Sequence, residues 1–146
     1  MKPRVMYARV FTIALVGCLL LLHSPLVLAD ATAPTLRSST PSDNAYAVSE
    51  TDNIVLTFSE AIQGDEDKIT LYKKQGDTEI SSSVTIAGST VTINPDTDLS
   101  GNTGYYVQIL AAALDDLNDN SYAGITNETG LNFSTASFDG LEGGNL

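Results

Sequence analysis

Between Ile54 and Phe133 the apolar residues fall on every second position, in short runs broken by Gly, Pro, Asn and Asp. A two-residue period is that of a half-buried strand, and amphipathic helices would repeat at 3.6. The runs Asn53–Ser59, Lys68–Lys73, Ser83–Ala87, Thr90–Asn94, Gly104–Leu110 and Gly130–Thr135 each place their larger aliphatic or aromatic side chains on one face. The inward set is Ile54, Leu56, Phe58, Ile69, Leu71, Val84, Ile86, Val91, Ile93, Tyr105, Val107, Ile109, Leu131 and Phe133. A weaker first strand is expected over Thr35–Ser38, for about seven strands in all, the pattern of an antiparallel two-sheet sandwich. Ala87-Gly88-Ser89 fits a tight hairpin, because Gly tolerates positive φ. The alanine-rich stretch Leu110–Leu114 is expected to form one helical turn. No run of helical periodicity is long enough to cross between parallel strands, which disfavours a parallel α/β fold.

The first 29 residues break this pattern. Lys2, Arg4 and Arg9 precede an apolar run, Val10–Leu22, and Val27-Leu28-Ala29 offers small residues for a signal peptidase. The run is shorter than the ~20 residues a membrane-spanning helix needs, so residues 1–29 read as a signal peptide cleaved after Ala29. An uncleaved anchor is one alternative. A lipoprotein lipidated at Cys18 within Leu15-Val16-Gly17-Cys18 is another, although the residues after Cys18 are greasy where a polar tether would be expected. Residues 30–136 then form one domain, with 30–34 as a leading linker, and the Gly-rich, acidic residues 137–146 form a flexible tail.

This division alters the charge. Residues 30–146 keep all 18 acidic residues but only Arg37, Lys68, Lys73 and Lys74, a formal charge of −14. Cys18, His23 and both methionines, Met1 and Met6, fall in the leader. The remainder has no side chains for a Cys–His dyad, a Ser–His–Asp triad or a Cys/His zinc site. Its charge opposes nucleic acid and anionic lipid as partners. An exported chain without disulfides must rely on its hydrophobic core.

The order of short motifs resembles the bacterial Ig-like domains named for the SbsA surface-layer protein. The pieces are Ala33-Pro34-Thr35, Thr40-Pro41-Ser42-Asp43-Asn44-Ala45, the run Ile54–Phe58 into Ser59-Glu60-Ala61-Ile62, Val91-Thr92-Ile93-Asn94-Pro95 with Leu99, Tyr105–Ile109, Asp116-Leu117 with Asn120, and Leu131–Thr135. The resemblance spans about residues 30–136 and implies an all-β, Ig-like antiparallel sandwich. It also implies a non-catalytic structural or adhesive role at the bacterial surface, toward a protein, a glycan or neighbouring Ig-like modules. Asp119 stands where such domains tend to have Gly, and a single copy is present where relatives are often strung in tandem. Leu99 lies six residues before Tyr105, the spacing of a tyrosine corner; an ordinary core tyrosine is the alternative.

The chemical candidate is the loop Asp115–Gly124. Asp116, Asn118 and Asn120 occupy the first, third and fifth places of an EF-hand-like calcium loop. Ser121 replaces the Gly at place six, and Asn127 the Glu at place twelve, so a solvated acidic turn is the competing reading. A second acidic group, Asp65-Glu66-Asp67, follows Glu60, and Asp30 in the linker is a further calcium candidate between modules. The pairs Asp115/Asp116 and Asp96/Asp98 sit in expected turns and are not aimed at a shared cleft, as glycoside hydrolysis would require. Asn127-Glu128-Thr129 and Asn132-Phe133-Ser134 match the N-glycosylation pattern.

Overall fold

The computed structural model describes residues 30–136. The expected signal peptide (1–29), the Cys18 lipidation site and the acidic tail (137–146) lie outside the described residues. Among the described residues there are eleven strands: β1 Leu36–Thr40, β2 Ala45–Val48, β3 Ile54–Phe58, β4 Ile62–Gly64, β5 Ile69–Lys73, β6 Thr78–Ile80, β7 Ser82–Ala87, β8 Thr90–Pro95, β9 Gly104–Ile109, β10 Leu114–Asp116 and β11 Asn132–Thr135. They form a four-stranded sheet (β1-β3-β8-β7), a five-stranded sheet (β2-β11-β9-β5-β6) and a two-stranded ribbon (β10-β4). The expected all-β, Ig-like sandwich is what forms.

The alternating side chains do what their period predicts. Ile54, Leu56 and Phe58 of β3, Val91 and Ile93 of β8, Ile69 and Leu71 of β5, Tyr105, Val107 and Ile109 of β9 and Phe133 of β11 are all buried in one core joining both sheets. Val84 and Ile86 pack on its margin from β7. Burial of such side chains contributes roughly 1.5–3 kcal/mol each relative to exposure. The β7–β8 hairpin closes through Gly88 at φ 58, with Ala87 opposite Thr90.

Three expectations need correction. The additional strands β2, β4, β6 and β10 have three or four residues each, too few to show a period. The five-stranded sheet is mixed, because β2 and β11 run parallel. The chain changes sheets through Ser42–Asn44, where Asp43 Oδ1 accepts the Asn132 N–H at 3.0 Å and Asn44 N–H donates to Asn132 C=O at 2.7 Å. Finally, residues 110–113 form a turn, not a helical one. Ala113 N–H donates to Leu110 C=O at 3.1 Å, and Ala112 sits at φ 57, which interrupts any helix.

The Leu99–Tyr105 spacing is a tyrosine corner. Tyr105 is buried against Phe133, with ring centroids 5.7 Å apart, and its hydroxyl accepts the Ser100 N–H at 2.8 Å. Thr135 Oγ1 donates to Ser100 C=O at 2.7 Å, so one turn is pinned on both its donor and its acceptor.

Candidate cation site and outer sheet face

β10 pairs with β4 so that Asp116 lies opposite Ile62, two residues beyond Glu60. The leading segment is drawn to the same place. Ser59 N–H donates to Thr35 C=O at 2.9 Å, Thr35 N–H donates to Ser59 Oγ at 3.0 Å, and Asn120 Nδ2 donates to Asp30 C=O at 2.9 Å. The result brings together Asp30, Glu60 and Asp116, each with a carboxylate oxygen within 4.8 Å of the others. That span is about twice a calcium–oxygen distance of ~2.4 Å, so three such atoms fit on one coordination sphere. At this separation each pair of like charges repels by roughly 1–3 kcal/mol between water-like and protein-surface dielectric. Among the described residues the one ion pair, Lys68–Asp65 at 3.2 Å, lies elsewhere.

Asp116 is 1% exposed. Its Oδ1 accepts the N–H groups of Asn118 and Asn120, both at 2.8 Å, and its Oδ2 accepts Asn120 Nδ2 at 2.8 Å. The Asn120 amide, together with those backbone donors, holds the Asp116 carboxyl below its ordinary range, although burial works in the opposite direction. This is the local Asx chemistry of the loop, and it leaves one Oδ2 lone pair open.

Of the three loop residues expected to bind metal, Asp116 and Asn120 are at the cluster. The Asn118 side chain is exposed, and Asn118 enters through its N–H. The Asn120 amide oxygen is the remaining ligand atom of that side chain. Glu60 and Asp30 complete the group from 56 and 86 residues away, a convergence that no local motif encodes. The other acidic cluster is arranged differently. Asp65 Oδ1 accepts the Asp67 N–H at 3.1 Å as the cap of a short 3-10 turn, Glu66–Lys68, and its second oxygen meets Lys68. Asp96 accepts a hydrogen bond from the Ser81 hydroxyl. Asp115 and Asp116 alternate to opposite faces of β10. Asn127 is exposed, whereas Asn132 is buried in β11.

The outer face of the five-stranded sheet carries a row of paired positions, Asn132, Tyr106, Tyr72 and Glu79. Tyr72 stacks on Tyr106 at 5.2 Å and 16°. Burial, reinforced by the hydrogen bond to Asp77 at 3.2 Å, pushes the Tyr106 hydroxyl above its ordinary range. Lys74 crosses the row to donate to Asn132 Oδ1 at 2.9 Å. Tyr46, on the edge strand β2, is 85% exposed. This face is not legible in the sequence, because the two-residue period places every second residue of an amphipathic strand outside without fixing which of them meet.

A fold of this kind is shared with several solved structures. The N-terminal part of the bacterial S-layer protein SbsC aligns with a TM-score of 0.53 and 18% identity over 73% of this chain, which spans 24% of that one. PcoC, a methionine-rich copper resistance protein from Escherichia coli, aligns at 0.52 and 19%, covering 71% of this chain and 99% of its own. CopC from Methylosinus trichosporium OB3b aligns at 0.53 and 12%, covering 77% and 98%. These likenesses speak to fold alone; residues 30–146 here contain no Met, His or Cys. No curated protein sequence matches the chain. The sequence profile of the bacterial Ig-like domain does, over residues 30–135. With that profile matched along the whole sandwich, from the carboxylate cluster to the last strand, the chain belongs to the bacterial Ig-like domain family.

Proposed function

We propose that this protein is a non-catalytic Ig-like module acting outside the cytoplasm, at the bacterial cell surface, as a rigid spacer that also presents a face to a protein or glycan. The observation that carries the reading is the placement of the two ends of the domain. Asp30 sits with Glu60, just past the end of β3, while Ala136 is bonded to Val48 and Asn102 (both 2.8 Å), before the start of β3. The chain therefore enters one pole of the sandwich and leaves the other, as a module in a linear array must. The family and the surface-layer likeness support the location, and the leader-like residues 1–29 support export. Half-buried Tyr72, backed by the buried ring of Tyr106, and exposed Tyr46 give the outer sheet face aromatic contact area of the kind that sugars and proteins use. The test is to bring the purified domain, residues 30–146, against envelope fractions of the producing bacterium. Saturable capture that Tyr72→Ala and Tyr46→Ala weaken supports the reading; a domain that captures nothing overturns its adhesive part.

A second reading rests on the convergence of Asp30, Glu60 and Asp116. Calcium held there, with Asn120, would tie the leading segment to the sandwich and relieve carboxylate repulsion. Ligand at 100 times its Kd stabilises a fold by about 2.7 kcal/mol. Melting in calcium and in chelator decides: a rise in Tm that Glu60→Gln abolishes supports the site, and an unchanged midpoint removes it.

A further inference from the structure

β7 is an edge strand, and its pairing fixes which of its backbone groups are free. Asp96 N–H donates to Ser81 C=O at 3.0 Å just beyond the β7–β8 ladder. Alternation then makes Ser83–Asn94, Thr85–Thr92 and Ala87–Thr90 the hydrogen-bonded pairs. The N–H and C=O groups of Ser82, Val84 and Ile86 point away from the sheet. A separate contact agrees: Ile86 N–H donates outward to Glu66 Oε1 at 3.2 Å. Glu66 thereby closes one half of the edge. The other half, at Ser82 and Val84, opens onto a groove of about 360 Å³ that also includes Thr70 and the exposed carboxylates of Glu66, Asp67 and Glu79. Among the described residues no Lys or Arg lines that groove.

We infer that this half-open edge docks an extended, Lys- or Arg-bearing segment of another protein. The main chain of the segment would pair with the free N–H and C=O of Val84, and its basic side chains would meet Glu66, Asp67 and Glu79. Glu66 sets where pairing stops. Edges are commonly blunted by charge, and a second copy is the poorer occupant because it would set the same three carboxylates against themselves. The inference narrows the partner of the surface module to a basic extended segment and does not depend on the cation site.

The test is fluorescence anisotropy of the purified full chain with a labelled peptide of alternating Lys and Val, beside the same peptide N-methylated on the amides of one edge. Expected is salt-sensitive binding that N-methylation removes, that Glu79→Gln weakens roughly two- to five-fold, and that Val84→Pro abolishes. Pro is tolerated at an outward-facing edge N–H, and circular dichroism checks the fold of that variant. The N-methylated peptide needs no variant at all. No binding, equal binding of the methylated peptide, or dimerisation through this edge would each overturn the inference. Envelope capture that persists without peptide binding would sink this edge and leave the surface-module reading standing.

Discussion

Replacing Tyr105 with Phe isolates the corner. The ring keeps its place against Phe133, and only the oxygen that accepts the Ser100 N–H at 2.8 Å is lost. Ser100 C=O stays held by Thr135, so the turn cannot swing out freely to offer its orphaned N–H to water. Leaving a donor unsatisfied at a partly buried position costs about 1–3 kcal/mol. For a domain of this size each kcal/mol lowers Tm by roughly 4 °C, which predicts a fall of about 4–12 °C. With no Trp in the chain, urea unfolding can be followed by tyrosine fluorescence and melting by circular dichroism. The m-value should stay unchanged, since the surface exposed on unfolding is the same. Thr135→Val acts on the same turn, so the double variant should cost less than the two single changes added. A Tm within 1 °C of wild type, or strict additivity with Thr135→Val, would refute the claim that the corner clamps this turn.

Other outcomes follow from the same structure. Leu56→Ala, at 0% exposure between β1 and β8, should cost about 2–5 kcal/mol in denaturant unfolding. Gly124→Ala should destabilise by about 1–3 kcal/mol or more, because φ is 87 and a Cβ would meet Ile109 C=O. The Asp116 carboxyl sits below its ordinary range when folded, so its stabilisation is full above the unfolded carboxylate value near pH 4 and is lost as pH falls through the folded value. Asp116→Asn should flatten the acid limb of a Tm-against-pH curve. Tyr106 behaves oppositely: raised when folded, it favours the folded state below about pH 10, and stability falls as pH climbs past that value. An absorbance titration should show a late-ionising tyrosine that Asp77→Asn shifts only partly toward its ordinary value, since burial is the larger cause.

What the sequence disclosed and withheld has a physical pattern. Strands of five or six residues with β-branched alternation, such as Ile54–Phe58 and Thr90–Pro95, announce both their type and their buried face. The three-residue β4 and β10 do not, because they exist only through long-range pairing with each other. The candidate site divides in the same way. The Asp116 cap of its own loop is local Asx chemistry and is legible from Asp116, Asn118 and Asn120. The meeting of Asp116 with Glu60 and Asp30 depends on the β4–β10 register and on Thr35 docking at Ser59, which no sequence window contains. The alanine-rich stretch Leu110–Leu114 misled for a related reason: Ala favours helix intrinsically, yet Ala112 is held at φ 57 by its place between β9 and β10.

The central claim is that this domain works outside the cytoplasm. Glu128 is exposed, and the single Cys of the chain, Cys18, lies outside residues 30–136, so Glu128→Cys offers one defined thiol on the folded domain. Treating intact cells of the producing bacterium with a membrane-impermeant maleimide is the direct measurement. Labelling of the Glu128→Cys protein on intact cells is the predicted result, and labelling that appears only after lysis, with the protein in the cytoplasmic fraction, would contradict the account.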